Sequence, residues 1–194
     1  MVVAFDADKG TPDEALLIAY GNGDVSAARI LTHRLTPRLM AFAARMLNDR
    51  SEAEDVIQEA MLRLWKQATN WRQGEAKVST WLYRVVSNLC TDRLRRRRSV
   101  DLDAIDEPLD DAPSAEEGMQ QRARVEALEA ALGTLPERQK EAVVLRHIEG
   151  LANPEIAAIM EISLEAVESL TARGKRALAA ALSDQRTALG FEDE

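Results

Sequence analysis

Between Lys77 and Arg98 the chain reads KVSTWLYRVVSNLCTDRLRRRR, and no other stretch gathers so many groups able to do chemistry on a polyanion. Apolar side chains recur at Val78, Trp81, Leu82, Val85, Val86 and Leu89, the spacing of a helix with one buried stripe. The remaining positions carry Thr80, Tyr83, Arg84, Ser87, Asn88 and Thr91, and the segment closes on Arg93, Arg95, Arg96, Arg97 and Arg98. Phosphates require cations, and unstacked bases require aromatic or hydrogen-bonding surfaces, so such a helix suits nucleic-acid reading. An amphipathic helix that merely ends in a solvated charge run satisfies the same pattern.

Two further groups stand out. Asp55, Gln58 and Glu59 lie three or four residues apart and share one face of a predicted helix over 51–68. Read from the residues alone, that is a solvated helix face. Near the C-terminal end, Asn153-Pro154-Glu155 opens a short helix with Ile156, Ala157, Ile159 and Met160 facing inward. A turn over Glu161-Ile162-Ser163 leads to a last helix that buries Val167, Thr171, Gly174 and Leu178. Small residues such as Ala157 and Gly174 permit the close crossing of a helix-turn-helix; an ordinary helical hairpin reads equally well.

The elements that must position these groups are all helical. Of 194 residues 46% are hydrophobic, 4% aromatic and 30% charged; Ala, Leu, Glu and Arg dominate, without β-branched alternation, and predict an all-α protein. Thr11-Pro12-Asp13-Glu14 predicts a capped helix start and Gly21-Asn22-Gly23 its stop. Asp24 caps a helix to about Leu47, Ser51-Glu52-Ala53-Glu54 reads as a second capping box, and Ser79 caps the arginine-ended helix. Asn70 to Val78 is a loop with an exposed Trp71. Ser99 to Gly118 holds eight acidic groups, two prolines and no basic residue, a linker by composition. Helices over about 119–132 and 136–149 precede the helix-turn-helix.

Charge distribution decides how the formal net charge of −8 should be read. Residues 51–100 hold ten basic groups against six acidic ones, whereas the linker and the 119–194 segment carry the acidic excess, so the candidate binding helix is locally cationic. The single cysteine, Cys90, excludes an intramolecular disulfide, fits a reducing compartment and reads as a small buried thiol. With neither a secretory signal nor a bilayer-length apolar run, the protein is expected to be cytoplasmic and not inserted in a membrane. His33 and His147 have no partners at metal spacing, and no phosphate loop or nucleophile elbow occurs. No cofactor, metal or catalytic residue is predicted, so an enzyme is remote.

Taken in order, three stretches resemble a known family. Ser51-Glu52-Ala53-Glu54-Asp55-Val56-Ile57-Gln58-Glu59-Ala60 with Leu62 to Trp65, Thr80 to Asn88 through Asp92–Arg96, and Leu135-Pro136-Glu137-Arg138-Gln139 through Leu145-Arg146 with Glu155-Ile156-Ala157 and Val167-Glu168-Ser169 are similar to bacterial RNA polymerase sigma factors of the extracytoplasmic-function type. The resemblance implies two small helical domains, a region-two bundle over 11–98 and a region-four helix-turn-helix over 119–183. A disordered N-terminus (1–10), an acidic linker (99–118) and an acidic tail (184–194) complete the expected layout.

The resemblance also implies roles. Asp55, Gln58, Glu59 and Leu62 would dock on core RNA polymerase. Asn70, Trp71, Lys77, Ser79, Tyr83, Arg84 and Asn88 would capture a base flipped from the minus-ten element of promoter DNA, with Trp81 in the core. Arg93, Arg95 and Arg96 would neutralise its backbone. Ser169, Arg173, Lys175 and Arg176 would meet the minus-thirty-five element. An anti-sigma factor is the implied silencing partner, and the acidic linker would either imitate nucleic acid in a polymerase channel or act as a tether. The chain departs from the family pattern at Glu168 and Leu170, where basic residues are common, which leaves minus-thirty-five reading the least supported role. A sigma-like mimic that only sequesters an anti-sigma factor, and a dimeric helix-turn-helix regulator, are the alternatives.

Overall fold

The computed structural model describes residues 10–72, 74, 77–100 and 116–183; the expectations for the N-terminus, the middle of the linker and the acidic tail lie outside them. Every regular element among the described residues is helical. The chain divides into two compact units, Met1–Asp92 with Ala158–Glu161 and Arg93–Ala157 with Ile162–Glu194.

The first unit holds α1 (Asp13–Gly21), α2 (Val25–Leu47), α3 (Arg50–Gln67), a single 3-10 turn (Ala68–Asn70) and most of α4 (Val78–Val100). α1 starts one residue later than its signal suggested. Pro12 occupies the cap position with no side-chain cap, because its fixed φ already pre-sets the helix entry. The carbonyl of Thr11 instead accepts from Arg34 Nη1 at 2.9 Å, and Asp13 pairs with the same guanidinium at 2.5 Å, tying α1 to α2.

Local polar chemistry sets the next two boundaries. Asp24 accepts from the Ser26 amide at 2.9 Å and caps α2 as expected. Asn48, at φ 52°, ends α2 in the left-handed conformation, which asparagine tolerates. Asp49, not Ser51, then caps α3 by accepting from the Glu52 amide at 2.9 Å. The predicted capping box is therefore displaced by two residues, since an aspartate directly after the break reaches the orphan amides first. Gly21 ends α1 where any Cβ would lie 2.8 Å from the Ala68 carbonyl oxygen, a close approach only glycine allows.

Leu17, Leu31, Leu39, Phe42, Leu47, Val56, Leu64 and Leu82 are fully buried and form the core of this unit. Tyr20 meets Trp65 edge-on at 4.9 Å between ring centroids. Cys90 is buried, as the sequence indicated.

The second unit contains α5 (Glu116–Gly133), α6 (Glu137–Val143), one π turn (Val144–Ile148), the start of α7 (Asn153–Met160) and α8 (Leu164–Ser183). α4 includes Ser99 and Val100, and α5 includes Glu116 to Gly118, so both ends of the expected linker are helical. Leu132, Leu145, Ile156 and Val167 are fully buried. Gly174 brings α8 onto α6: a Cβ there would lie 2.6 Å from Val143 Cγ2 and 3.0 Å from the Gln139 carbonyl oxygen. The close crossing expected of Gly174 thus occurs, but against α6.

Candidate nucleic-acid and polymerase interfaces

α3 presents the acidic and amide face that its spacing predicted. Asp55, Gln58 and Leu62 are exposed on successive turns, while Val56, Ile57, Ala60 and Met61 between them are buried. Glu59 is half-buried and forms a 2.5 Å ion pair with Arg63. Leu62 is 58% exposed. A large apolar side chain standing among polar neighbours costs solubility and gains nothing within the fold, whereas its burial by a partner is worth about 1.5–3 kcal/mol.

α4 is rotated from the expected register. Val78, Leu82, Val86, Leu89 and Cys90 are buried, but so are Tyr83 at 5% and Ser87 at 4% exposure. Tyr83, expected to be an aromatic available on the outward side, is therefore not presented at the surface; its ring packs edge-on against Phe42, centroids 5.4 Å apart. A tyrosine ring is a large apolar body with one polar tip, and Ser87 and Cys90 are small enough to join the core beside it. Trp81, Arg84 and Val85 turn partly outward in their place. The outward row then runs Trp81, Arg84, Asn88, Thr91 and Arg95, at alternating spacings of three and four.

The aromatic pair at the head of α4 also differs from expectation. Trp71 is half-buried rather than exposed, and its indole nitrogen is buried without a hydrogen-bond partner among the described residues. It meets Trp81 edge-on with centroids 6.0 Å apart, so Trp81 is no simple core residue. Ser79 lies inside the first turn of α4 and does not occupy the position before it. Asn70 and Lys77 are exposed on either side of the loop, as are Arg95 and Arg96 on α4, and Arg93 is half-buried. Trp81 is the surface member of this face that sequence reasoning did not assign to it, because the apolar periodicity absorbed it; Thr91 belongs to the predicted polar side but carries no assigned role.

The helix-turn-helix is present with modified caps. Ala152, not Asn153, stands before α7: its amide donates to the Glu155 carboxylate at 3.1 Å, the reciprocal arm of a capping box. Ile156, Ile159 and Met160 are buried as predicted, and Ala157 is half-buried. Glu161 in the turn has φ 53°, a left-handed conformation that costs a side-chain-bearing residue about 1 kcal/mol. Ser163 caps α8 by accepting from the Ala166 amide at 3.2 Å. Glu165 is held below the usual carboxylate range by its own backbone amide and by the Ser163 hydroxyl. Val167 and Gly174 are buried, while Thr171 and Leu178 are half-buried. Ser169, Arg173, Lys175 and Arg176 are exposed, together with Glu165 and Glu168, whereas Leu170 is half-buried. Arg173 Nε donates to the Ser169 carbonyl at 3.3 Å, which holds it along the helix.

Comparison with known proteins gives this layout a family. The family model "Sigma-70 region 2" matches residues 31–100, and "Sigma-70, region 4" matches residues 125–178. ECF RNA polymerase sigma factor SigM of Mycobacterium tuberculosis is 32% identical over 97% of this chain and 94% of its own length. The chain belongs to the extracytoplasmic-function sigma factors. ECF RNA polymerase sigma factor SigE of Mycolicibacterium smegmatis is 34% identical over 76% of this chain, which spans 58% of that relative's length. The fold is that of the Bartonella quintana sigma factor RpoE, solved in complex with the anti-sigma factor NepR (TM-score 0.68, 22% identity, 82% of this chain and 98% of that one).

In this sigma factor the region-two match begins in α2 and ends with α4, so it contains both the α3 face and the outward row of α4. The region-four match begins in α5 and ends in α8, so it contains α7, the turn and most of α8. Among the described residues no three His, Cys, Asp or Glu side chains are grouped to hold a metal ion, and no described helix is long and apolar enough to cross a membrane.

Proposed function

We propose that this sigma factor binds core RNA polymerase through α3, opens promoter DNA with α4 and the preceding loop, and meets the upstream element with α8. The observation that carries the reading is the exposed Leu62 flanked by Asp55 and Gln58, within a chain that carries both sigma regions in order. Leu62 supplies apolar contact area, and Asp55 and Gln58 offer acceptors to a basic partner surface. Family resemblance supports the coiled coil of the large catalytic subunit as that surface.

Opening requires that a base leaving the stack, at a cost of a few kcal/mol, find compensating contacts. Asn70, Trp71, Lys77, Arg84 and Asn88 remain the candidates, joined by Trp81; Tyr83 and Ser79 act by shaping the helix that carries them. Arg93, Arg95 and Arg96 supply backbone neutralisation, which makes binding steeply dependent on salt. The region-two domain is assigned to 11–98 and the region-four domain to 119–183, with an acidic connection between them. The polymerase performs the chemistry, and this cytoplasmic subunit contributes binding energy for the open state.

An anti-sigma factor is the proposed regulator, by analogy with the RpoE complex with NepR. Its natural target is the same exposed α3 face, since covering Leu62 would exclude polymerase. Transcription in vitro with purified core polymerase on pooled genomic promoter fragments tests the reading. Defined transcripts that depend on this chain are expected. Absence of both polymerase binding and transcripts would overturn it and favour the sequestering mimic.

A further inference from the structure

Glu168 is a carboxylate on the exposed side of α8, one turn in from its N-terminus. It has no hydrogen bond or ion pair with any described residue. The residues one turn away on either side are Leu164, Glu165, Thr171 and Ala172, so no cation lies at helix-pairing distance to neutralise it. Glu165 differs: its carboxylate is engaged by its own amide and by Ser163 at the start of the helix. Toward the other end, Arg173, Lys175 and Arg176 are exposed. α8 is therefore divided, with an unengaged carboxylate in the part that a second helix of this motif sends to base edges, and cations beyond it.

A carboxylate can only accept hydrogen bonds. DNA offers it phosphates, which repel it, and base edges, of which only two in the major groove donate: cytosine N4 and adenine N6. The adenine amino group sits beside the N7 acceptor, which opposes the second carboxylate oxygen. Cytosine N4 has no such neighbour on its own base. We infer that Glu168 is a specificity-determining residue that accepts a hydrogen bond from a cytosine amino group in the upstream promoter element. The inference rests on the reading of α8 as the helix that enters the major groove. On this assignment the residue faces the groove floor, and the backbone contacts fall to Arg173, Lys175 and Arg176.

Glu168→Gln tests the assignment with almost no change of shape at an exposed position. An amide both donates and accepts, and its best partner is the paired N6 and N7 of adenine. The full-length chain and the variant would each be combined with core polymerase and a promoter library randomised over the upstream element, and the transcribed templates sequenced. The parent is expected to favour cytosine, on one strand, at one position by about tenfold to a hundredfold. The variant is expected to change preference at that position alone, toward adenine, with the rest of the profile intact. A parent profile that the variant leaves unchanged would overturn the role of Glu168, as would a uniform gain in transcription from Glu168→Ala with no altered base preference. A parent with no upstream preference at all, and no loss from Arg176→Ala, would instead overturn the underlying reading of α8.

Discussion

Replacing Gly174 with alanine probes the packing that holds α8 in place. The added Cβ would lie 2.6 Å from Val143 Cγ2, 3.0 Å from the Gln139 carbonyl oxygen and 3.4 Å from Gln139 Cβ. Carbon atoms in contact prefer about 3.5–4.0 Å. Val143 cannot simply swing aside, because a β-branched residue in a helix has one strongly favoured rotamer and this one is 2% exposed. The carbonyl belongs to the backbone of α6. Relief must come from separation of α6 and α8, which opens gaps along their whole line of contact. Overpacking costs about 1–3 kcal/mol, and a backbone obstacle places this site at the upper end. Alanine recovers about 1 kcal/mol of helix propensity over glycine, leaving a net loss of about 2 kcal/mol.

For a unit of this size 1 kcal/mol moves the melting temperature by roughly 4–8 °C, so unfolding of the second unit should fall by about 8–16 °C. Hydrogen exchange read by mass spectrometry on the full-length chain distinguishes peptides of α6 and α8 from those of α2 and α3, and only the former should lose protection. Gly133→Ala is the control: nothing lies within 4 Å of its Cβ, and it should be neutral or slightly stabilising. Val143→Ala combined with Gly174→Ala should restore part of the loss, as coupled neighbours do. A Gly174→Ala chain with parental protection in α6 and α8 would refute the close approach and the reasoning built on it.

Other expectations follow from single sites. Glu161→Gly should stabilise the second helical motif by about 1 kcal/mol, because the φ of 53° carries a side-chain penalty that glycine lacks; thermal unfolding checks it, and a lower melting temperature would contradict it. Leu62→Glu should leave thermal stability within about 0.5 kcal/mol of the parent, as exposed substitutions do, yet weaken pull-down of core polymerase at least tenfold; equal capture would remove α3 from the interface. Glu165 has a depressed pKa in the folded chain, so its contribution to stability is full above the ordinary carboxylate range and is lost as pH falls through the lowered value. Acid titration of α8 protection should therefore be shallower in Glu165→Gln, and an identical acid limb would exclude the contribution.

Much of the fold was legible where local chemistry acts alone. Asp24 and Asn48 bound α2 as read, because an aspartate cap and a left-handed asparagine depend on a few adjacent backbone groups. The boundary of α7 failed by one residue at Ala152, whose side chain has nothing to cap with, and the cap of α3 failed by two, where Asp49 and Ser51 both carry an acceptor. Which one takes the amides depends on the entry angle of the chain, and tertiary packing fixes that. The face of α4 was misread for a related reason. Polarity assigned Tyr83 and Ser87 outward, but ring area and small size matter more than a hydroxyl when the neighbour is Phe42. The partner of Gly174 was not legible at all, since a small residue announces close approach without naming the helix that approaches.

The rotation of α4 alters how the proposed promoter-opening surface must work. An unstacked base needs a flat surface within reach of solvent, and stacking on an aromatic ring returns about 1–3 kcal/mol. Tyr83 has no face to offer while it packs on Phe42, and freeing it would cost core burial of the same order as the stacking gained. Trp71 and Trp81 both retain partial exposure, and their edge-on contact leaves ring surface uncovered. Polar groups continue from them along the helix through Arg84, Asn88, Thr91 and Arg95, each three or four residues from the last. A strand that starts with a base at the tryptophans can therefore follow one face toward increasing positive charge. That gradient lies in α4 itself, which is how a chain with a net charge of −8 can still carry a locally cationic helix. Glu161 nevertheless stands 3.5 Å from Arg84, and Glu137 pairs with Arg98, so part of its charge is met within the fold.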